Sequence, residues 1–330
     1  MSVSPVDPPA VRKALSAAFG TEVVDGCVAI SGGLSGAGTW KIRVGGVPYL
    51  LRVEAGRDAL RDPHRGYACL RLAAEACLAP RVRYADPDDG VVISDFIEAR
   101  SLMIDYAGTR GDLVVELAQA VRALHAIPGF PPLVDYLDGL AGLVQRSAAC
   151  GVVAGEALAA PLAAWARLRE ACRSLPPQPV SSHNDLNPRN LVYDGRRVWL
   201  VDWEAAFRAD RYVDLAAIAN TFAADPEGEA LLLRTYFGRE ATGAERARLY
   251  LFRQVSHVFH AAAFIAGLAG RARTDSLDGP ELEAIHQALT LGEPRLDTPE
   301  GRLAYGLARW RAAMAGIAAP AFEVAARIAA

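Results

Sequence analysis

Over the first hundred residues the apolar positions fall in short alternating runs, and from about residue 112 onward they recur at helical spacing. A first helix is predicted over about residues 8–19, followed by short strands. Cys27-Val28-Ala29-Ile30 leads into a glycine-rich stretch, Ser31 to Thr39, and Trp40-Lys41-Ile42-Arg43-Val44 then alternates apolar with basic residues as a half-buried strand does. Gly45-Gly46 predicts a tight turn into a strand over Pro48–Val53, and Val91 to Glu98 reads as a further strand. Asp112 is the expected cap of a helix carrying Leu113, Leu117, Val121 and Leu124 on one face and stopping before Pro128. His125, in its last turn, reads as structural, interacting with the helix end or packing in the core. A second helix is predicted over Ala157–Ser174, and the alanine- and leucine-rich residues 226–330 are mostly helical.

Composition narrows the function classes. With 330 residues the chain has room for two lobes around real cores. A net charge of −3 with no long run of either sign leaves no electrostatic footprint for nucleic acid. Five scattered cysteines lack metal spacing, and the first residues lack a basic start and an apolar core, so reduced thiols and a cytoplasmic location are expected. The apolar run Val258–Leu268 contains His260 and is too short to span a bilayer, so no membrane partner is expected.

Candidate chemistry gathers between residues 180 and 215. Asp185 lies in a turn rich in Asn and Pro, hence on a loop. Leu191–Tyr193 and Val198–Leu200 read as two strands around Asp194-Gly195-Arg196-Arg197. Closing that hairpin brings Asn190, before its first strand, to the same end as Asp202, after its second. One amide oxygen and one carboxylate are hard ligands of the kind that suit Mg²⁺, which binds through few protein groups plus substrate phosphates. Asp185 is left to take a proton from an attacking hydroxyl. Upstream, a glycine-rich loop between antiparallel strands can lay its backbone over phosphates. It is not a Walker loop, because no Gly-Lys-Ser/Thr follows and no helix begins there.

His183-x-Asp185-x-x-x-x-Asn190 followed by Asp202-Trp203-Glu204 resembles the aminoglycoside phosphotransferase and choline kinase superfamily, whose fold is related to that of protein kinases. The resemblance implies an α+β, protein-kinase-like two-lobed fold. Residues 1–98 would form a small antiparallel-sheet N-lobe with glycine loop and hinge, and residues 99–330 a larger, mostly helical C-lobe with the catalytic loop, metal site and acceptor region. It implies ATP and Mg²⁺ as cofactors, Asp185 as catalytic base, and Asn190 and Asp202 as metal ligands. His183 would shape the catalytic loop and Asp214 brace it. Gly32, Gly33, Ser35, Gly36, Gly38 and Arg52 would hold the phosphates, and the backbones of Asp95 and Ile97 the adenine. One feature departs from the family. The helix near residues 64–78 carries no acid at Gly66 or Tyr67, where a Glu normally meets the strand cation, so Arg52 is expected to lack that partner.

The acceptor is expected to be a small molecule with a hydroxyl, first of all choline or ethanolamine. Glu204 is a candidate carboxylate for a cationic acceptor, and His257 and His260, in an aromatic stretch with Tyr250, Phe252, Phe259 and Phe264, are further candidates. That stretch contains no tryptophan, and an aromatic stripe on a helix is more commonly core. An aminoglycoside, or another amino alcohol or sugar, is the alternative acceptor. A non-catalytic nucleotide-binding module is the alternative of another class, with the missing helix Glu as its argument.

Overall fold

A computed structural model of the chain describes residues 6–30, 37–57, 61–102, 104–290, 296 and 298–329. It divides into two compact units, Met1–Pro132 with Val180–Arg208 and Leu133–Pro179 with Ala209–Ala330. Beyond residue 98, then, the first unit also takes in residues 99–132 and the segment that carries the candidate chemistry.

The first unit opens on α1 (Pro9–Phe19), with proline at its start, where the missing N–H costs nothing, and Gly20 left-handed at its end. Strands β1 (Gly26–Ala29), β2 (Gly38–Val44) and β3 (Val47–Val53) follow, then α2 (Pro63–Glu75), β4 (Val82–Asp86) and β5 (Val91–Asp95). All pairings are antiparallel, in the order β1-β2-β3-β5-β4. The β2–β3 turn puts Gly45 and Gly46 at φ 58° and 78°, the positive values a two-residue hairpin turn needs at both central residues. Because side chains alternate across a strand, Ile42, Val44, Leu51, Val91 and Ile93 all reach one face, where Val11, Ala14 and Leu15 of α1 cover them.

The chain then forms α3 (Arg110–Ala126). Its cap is Thr109, not Asp112: the Thr109 hydroxyl accepts from the Asp112 N–H, and the Asp112 carboxylate accepts from the Thr109 N–H. The expected cap thus sits three residues inside the helix, as the reciprocal acid of a capping box. After an excursion into the second unit the chain returns through β6 (Pro179–Ser182), a 3₁₀ turn (Pro188–Asn190), β7 (Leu191–Tyr193), β8 (Val198–Leu200), a second 3₁₀ turn (Trp203–Ala205) and β9 (Phe207–Asp210).

The second unit is helical: α4 (Tyr136–Ala149), α5 (Gly155–Arg173), α6 (Tyr212–Phe222), α7 (Pro226–Phe237), α8 (Gly243–Ala266), α9 (Leu282–Thr290), α10 (Pro299–Ala318) and α11 (Pro320–Ala329). α4 escaped the sequence reading because Gly139 and Gly142 interrupt its apolar face of Leu137, Leu140 and Val144. At the centre lies α8, packed by α4, α5, α6, α10 and α11 and started by a Thr242–Glu245 capping box. Gly306 lets α10 approach it closely, since a Cβ there would lie 3.0 Å from Ile265. No single helix among the described residues is long and apolar enough to cross a membrane.

Candidate active site

The hairpin pairs Leu191 with Leu200, Val192 with Trp199 and Tyr193 with Val198. Asp194 stabilises its turn by accepting from the N–H groups of Arg196 (2.7 Å) and Arg197 (2.9 Å), as an Asx turn does. Past the strands the Val201 N–H donates to the Asn190 carbonyl at 3.0 Å, so Asn190 stands beside the residue that precedes Asp202.

Asp185 is held from two sides. The Asn187 amide donates to its Oδ1 at 3.0 Å, and the Asn190 amide donates to its Oδ2 at 3.0 Å and to its carbonyl at 2.8 Å. Burial pushes the Asp185 carboxyl up to about 7; the charge of Asp202 adds to the rise, while the two amides oppose it. Spending its N–H₂ on Asp185 leaves Asn190 with Oδ1 unbonded among the described residues, and Asp202, whose Oδ1 meets Arg52, likewise has Oδ2 unbonded. Two free hard oxygens at one end of a hairpin fit a Mg²⁺ that takes its remaining ligands from phosphates and water. Among the described residues no group of three His, Cys, Asp or Glu side chains is placed to hold a metal ion by itself. Asp202 itself is left-handed, at φ 66° and ψ 68°, a conformation a non-glycine residue holds only where its surroundings impose it.

Those surroundings are His183, Asn184 and Trp203. His183 is fully buried, donates from Nε2 to the Val201 carbonyl at 2.9 Å and packs 4.7 Å from the Trp203 ring. Trp203 is buried as well, and its indole N–H reaches the Leu200 carbonyl at 3.2 Å. Asn184, also left-handed (φ 65°), donates to the carbonyls of Ala205 (3.0 Å) and Phe207 (3.2 Å), tying the Asp185 loop to the segment after Asp202. The sequence reading passed over Asn184 and Asn187, although both lie inside the quoted motif.

Arg52 corrects the expectation of a missing acid. Its Nε donates to Glu54 at 2.9 Å, Nη1 to Asp202 at 2.9 Å and Nη2 to Glu204 at 2.6 Å. Burial alone would weaken its charge, but the carboxylates of Asp202, Glu54 and Glu204 more than offset that and hold the pKa above its usual value. Glu54 stands directly after β3 ends at Val53, two positions beyond Arg52, so continued alternation brings it to the same side. Where the family places a helix Glu, α2 instead presents Gly66, a Cβ on which would lie 3.6 Å from the Trp203 carbonyl and 3.7 Å from Glu204 Cα. Buried Arg65, next to it, donates to the Glu204 carbonyl. α2 therefore braces the Asp202–Glu204 turn while the turn supplies the acids. Glu204, expected to meet a cationic acceptor, is committed to Arg52, and burial followed by the charge of Asp202 raises its carboxyl pKa. A cleft beside these groups is lined by Arg52, Glu54, Tyr67, Val92, Asp202 and Glu204.

The remaining candidates are scattered. Gly32, Gly33, Ser35 and Gly36 lie outside the described residues. Gly38 opens β2 under the Trp40 ring, where a Cβ would fall 2.0 Å from Cη2. Asp95 spends its N–H on the Arg81 carbonyl (2.9 Å) and its carboxylate on Arg83 (2.6 Å), leaving Ile97, in the segment past β5, as the freer backbone of the two. Asp214, on α6, is fully buried and belongs to the second unit, as do His257 and His260 on α8.

Residues 26–252 match the phosphotransferase enzyme family, and the chain belongs to it. Over 120 residues it is 38% identical to an aminoglycoside 3'-phosphotransferase of Escherichia coli; the match covers 34% of this chain and 44%, less than half, of that relative. Among solved structures it is similar to a choline/ethanolamine kinase family protein from Mesorhizobium loti, with TM-score 0.68, 20% identity and coverage of 96% of this chain and 97% of that one. It is also similar to a spectinomycin phosphotransferase in complex with ADP and spectinomycin, with TM-score 0.63, 13% identity and coverage of 95% and 99%. At such identities the likeness shows the fold, a kinase-like one in which a five-stranded antiparallel sheet precedes a mostly helical region.

Proposed function

We propose that the protein transfers the γ-phosphoryl group of ATP to a hydroxyl of a small metabolite. The observation that carries this reading is the Asp185–Asn190–Asp202 arrangement: a carboxylate held by two amides, beside two oxygens left free for a cation. Asp185 orients the acceptor hydroxyl and takes its proton, for which a carboxyl raised to about 7 is well suited at neutral pH. Asn190 and Asp202 would hold Mg²⁺, which when bound neutralises charge on the phosphates. Arg52 adds fixed positive charge beside Asp202. Most of the acceleration would come from positioning and charge, since phosphoryl transfer asks little covalent chemistry of the protein. Family membership and the ADP seen in the similar spectinomycin phosphotransferase support the choice of nucleotide. Choline or ethanolamine, the first expectation for the acceptor, loses its proposed carboxylate now that Glu204 is bonded to Arg52.

An ATP-consumption screen across amino alcohols, aminoglycosides, sugars and hydroxy acids tests the reading, with Asp185→Ala as control. Turnover should appear with one acceptor class and fall by about 10² to 10⁴ in the variant, with ATP affinity nearly unchanged. ATP consumption equal in both proteins would remove Asp185 from the chemistry, and none with any acceptor would leave a nucleotide-binding module.

A further inference from the structure

Asn187 is tied into the Asp185 loop more fully than a turn cap requires. It precedes Pro188, which drives it extended, at φ −78° and ψ 161°. The proline opens the 3₁₀ turn Pro188–Asn190, where its fixed φ suits the turn and its missing N–H costs nothing. From the capping position Asn187 accepts the Arg189 N–H with its Oδ1 at 2.9 Å and the Asn190 N–H with its carbonyl at 3.0 Å. Capping is complete with those two bonds. The same side chain goes on to donate its amide to Asp185 Oδ1 at 3.0 Å.

The two side-chain bonds fix each other. A backbone N–H can only donate, so the end of the Asn187 amide that faces Arg189 is the oxygen, and the N–H₂ faces Asp185. Of the short capping side chains, Asn is the one that offers an oxygen to the turn and an N–H₂ beyond it; serine, threonine and aspartate would cap as well without that reach. On Asp185 the second oxygen, Oδ2, takes the Asn190 amide at 3.0 Å. One donor on each oxygen sets the plane of the carboxylate, whereas Asn190 alone would leave it to pivot about a single bond. Each oxygen keeps a lone pair for an incoming O–H. Asn187 thus grips both parts of the site, the base through its amide and Asn190 through its carbonyl.

We propose that Asn187 is a positioning residue for the reaction: its amide fixes the Asp185 carboxylate relative to Asn190, so that the base meets the acceptor hydroxyl in the orientation proton transfer needs. This rests on the kinase reading above and adds to it a residue that acts through Asp185.

The test compares the parent, Asn187→Ser, Asn187→Ala, Asp185→Ala and the Asp185→Ala/Asn187→Ser double variant. ATP consumption is measured with choline, ethanolamine, kanamycin, spectinomycin, glycerol and glycerate in turn, and the acceptor of highest turnover is carried forward. Serine keeps an oxygen for the Arg189 N–H but is too short to hold Asp185, while alanine loses both bonds; circular dichroism and the urea midpoint report the cap separately. In Asn187→Ser kcat should fall by about 10- to 100-fold, with both KM values within about twofold of the parent. Asn187→Ala should lose as much kcat and also unfold at lower urea. In the Asp185→Ala background the serine substitution should change kcat by less than about twofold, because a residue that acts through the base has nothing left to position. Parental kcat in Asn187→Ser, with a loss confined to the less stable alanine variant, would reduce Asn187 to a turn cap and overturn the inference. An equal fall with and without Asp185, or a raised ATP KM at unchanged kcat, also overturns it, since Asn187 would then act elsewhere; in all these cases the kinase reading stands. A parent that consumes no ATP with any acceptor overturns that reading and the inference together.

Discussion

Replacing Arg52 puts the first unit's charge network under direct test. In Arg52→Met the carboxylates of Glu54, Asp202 and Glu204 are left around a vacated cation, and stranding buried charges costs about 3–5 kcal/mol. The side chains of Asp202 and Glu204 are 30% exposed, so water recovers part of that and the lower end, about 3 kcal/mol, is the expected loss. Arg52→Lys keeps the charge, but one compact ammonium cannot reproduce three bonds aimed along a planar fork at 2.6 to 2.9 Å. At about 1.5–3 kcal/mol per charge-assisted bond, losing one of them costs about 2 kcal/mol. Urea unfolding at pH 7, followed by tryptophan fluorescence, measures both values, and the ATP KM reads the consequence for the phosphates. A glutamate added at Gly66 should not rescue the lysine variant: the cation already faces three acids, and a fourth adds repulsion where the α2 backbone meets Trp203 and Glu204. A lysine variant within about 0.5 kcal/mol of the parent and equal to it in ATP KM would refute the reasoning, because it would mean that the three bonds contribute nothing beyond the charge.

Further expectations concern the loop, the sheet and the helical unit. Asn184→Gly should cost about 2 kcal/mol in urea unfolding, because the carbonyls of Ala205 and Phe207 lose their donor, and Asn184→Ala about 1 kcal/mol more, since alanine resists φ 65°; equal stabilities would mean that the backbone relaxes out of that conformation. Gly38→Ala should destabilise by about 1–3 kcal/mol through its clash with Trp40, and Trp40→Leu should relieve it; a thermal scan showing no loss would place the ring elsewhere in solution. His260 is held neutral, its pKa lowered to about 3 by burial and by Arg309, with His257 and His286 around it lowered in the same way. The unfolded chain therefore binds the proton first, and stability falls as the pH drops below about 6.5. Between pH 7 and pH 5 His260 should account for about 2 kcal/mol of that fall, and His260→Asn, which cannot titrate, should flatten the slope by that amount; an unchanged slope would show that His260 protonates in the folded state.

What was legible in the sequence follows from the range of each interaction. The β7–β8 hairpin and the approach of Asn190 to Asp202 are local, set by strand alternation and a turn of four residues, and both could be read off directly. Glu54 was legible in principle, two positions beyond Arg52 and just past the end of the same strand, but the family keeps the partner on a helix and that is where it was expected. Glu204 could not be found that way. Whether it faces outward or toward Arg52 depends on a 3₁₀ turn entered through a left-handed Asp202, and that turn is held in part by Arg65 and Gly66, more than 130 residues earlier in the chain. The contacts of Arg309 on α10 with His257 on α8 and His286 on α9 are further still from any sequence signal, with nothing but the fold to relate their spacings.

The same contrast explains why the acid of Arg52 could move. A cation needs negative charge at a certain distance and has no preference for the element that supplies it. With Glu54 just past the end of β3 and Glu204 on the turn both in reach, a carboxylate from α2 becomes dispensable, and Gly66 packs at van der Waals distance from Trp203 and Glu204 instead. Glycine at 66 therefore does not leave Arg52 without an acid. The exchange also bears on the acceptor. A glutamate bonded to Arg52 is not free to receive a cationic substrate, so Glu204 turns away from that task for the same reason that Arg52 has three carboxylate partners.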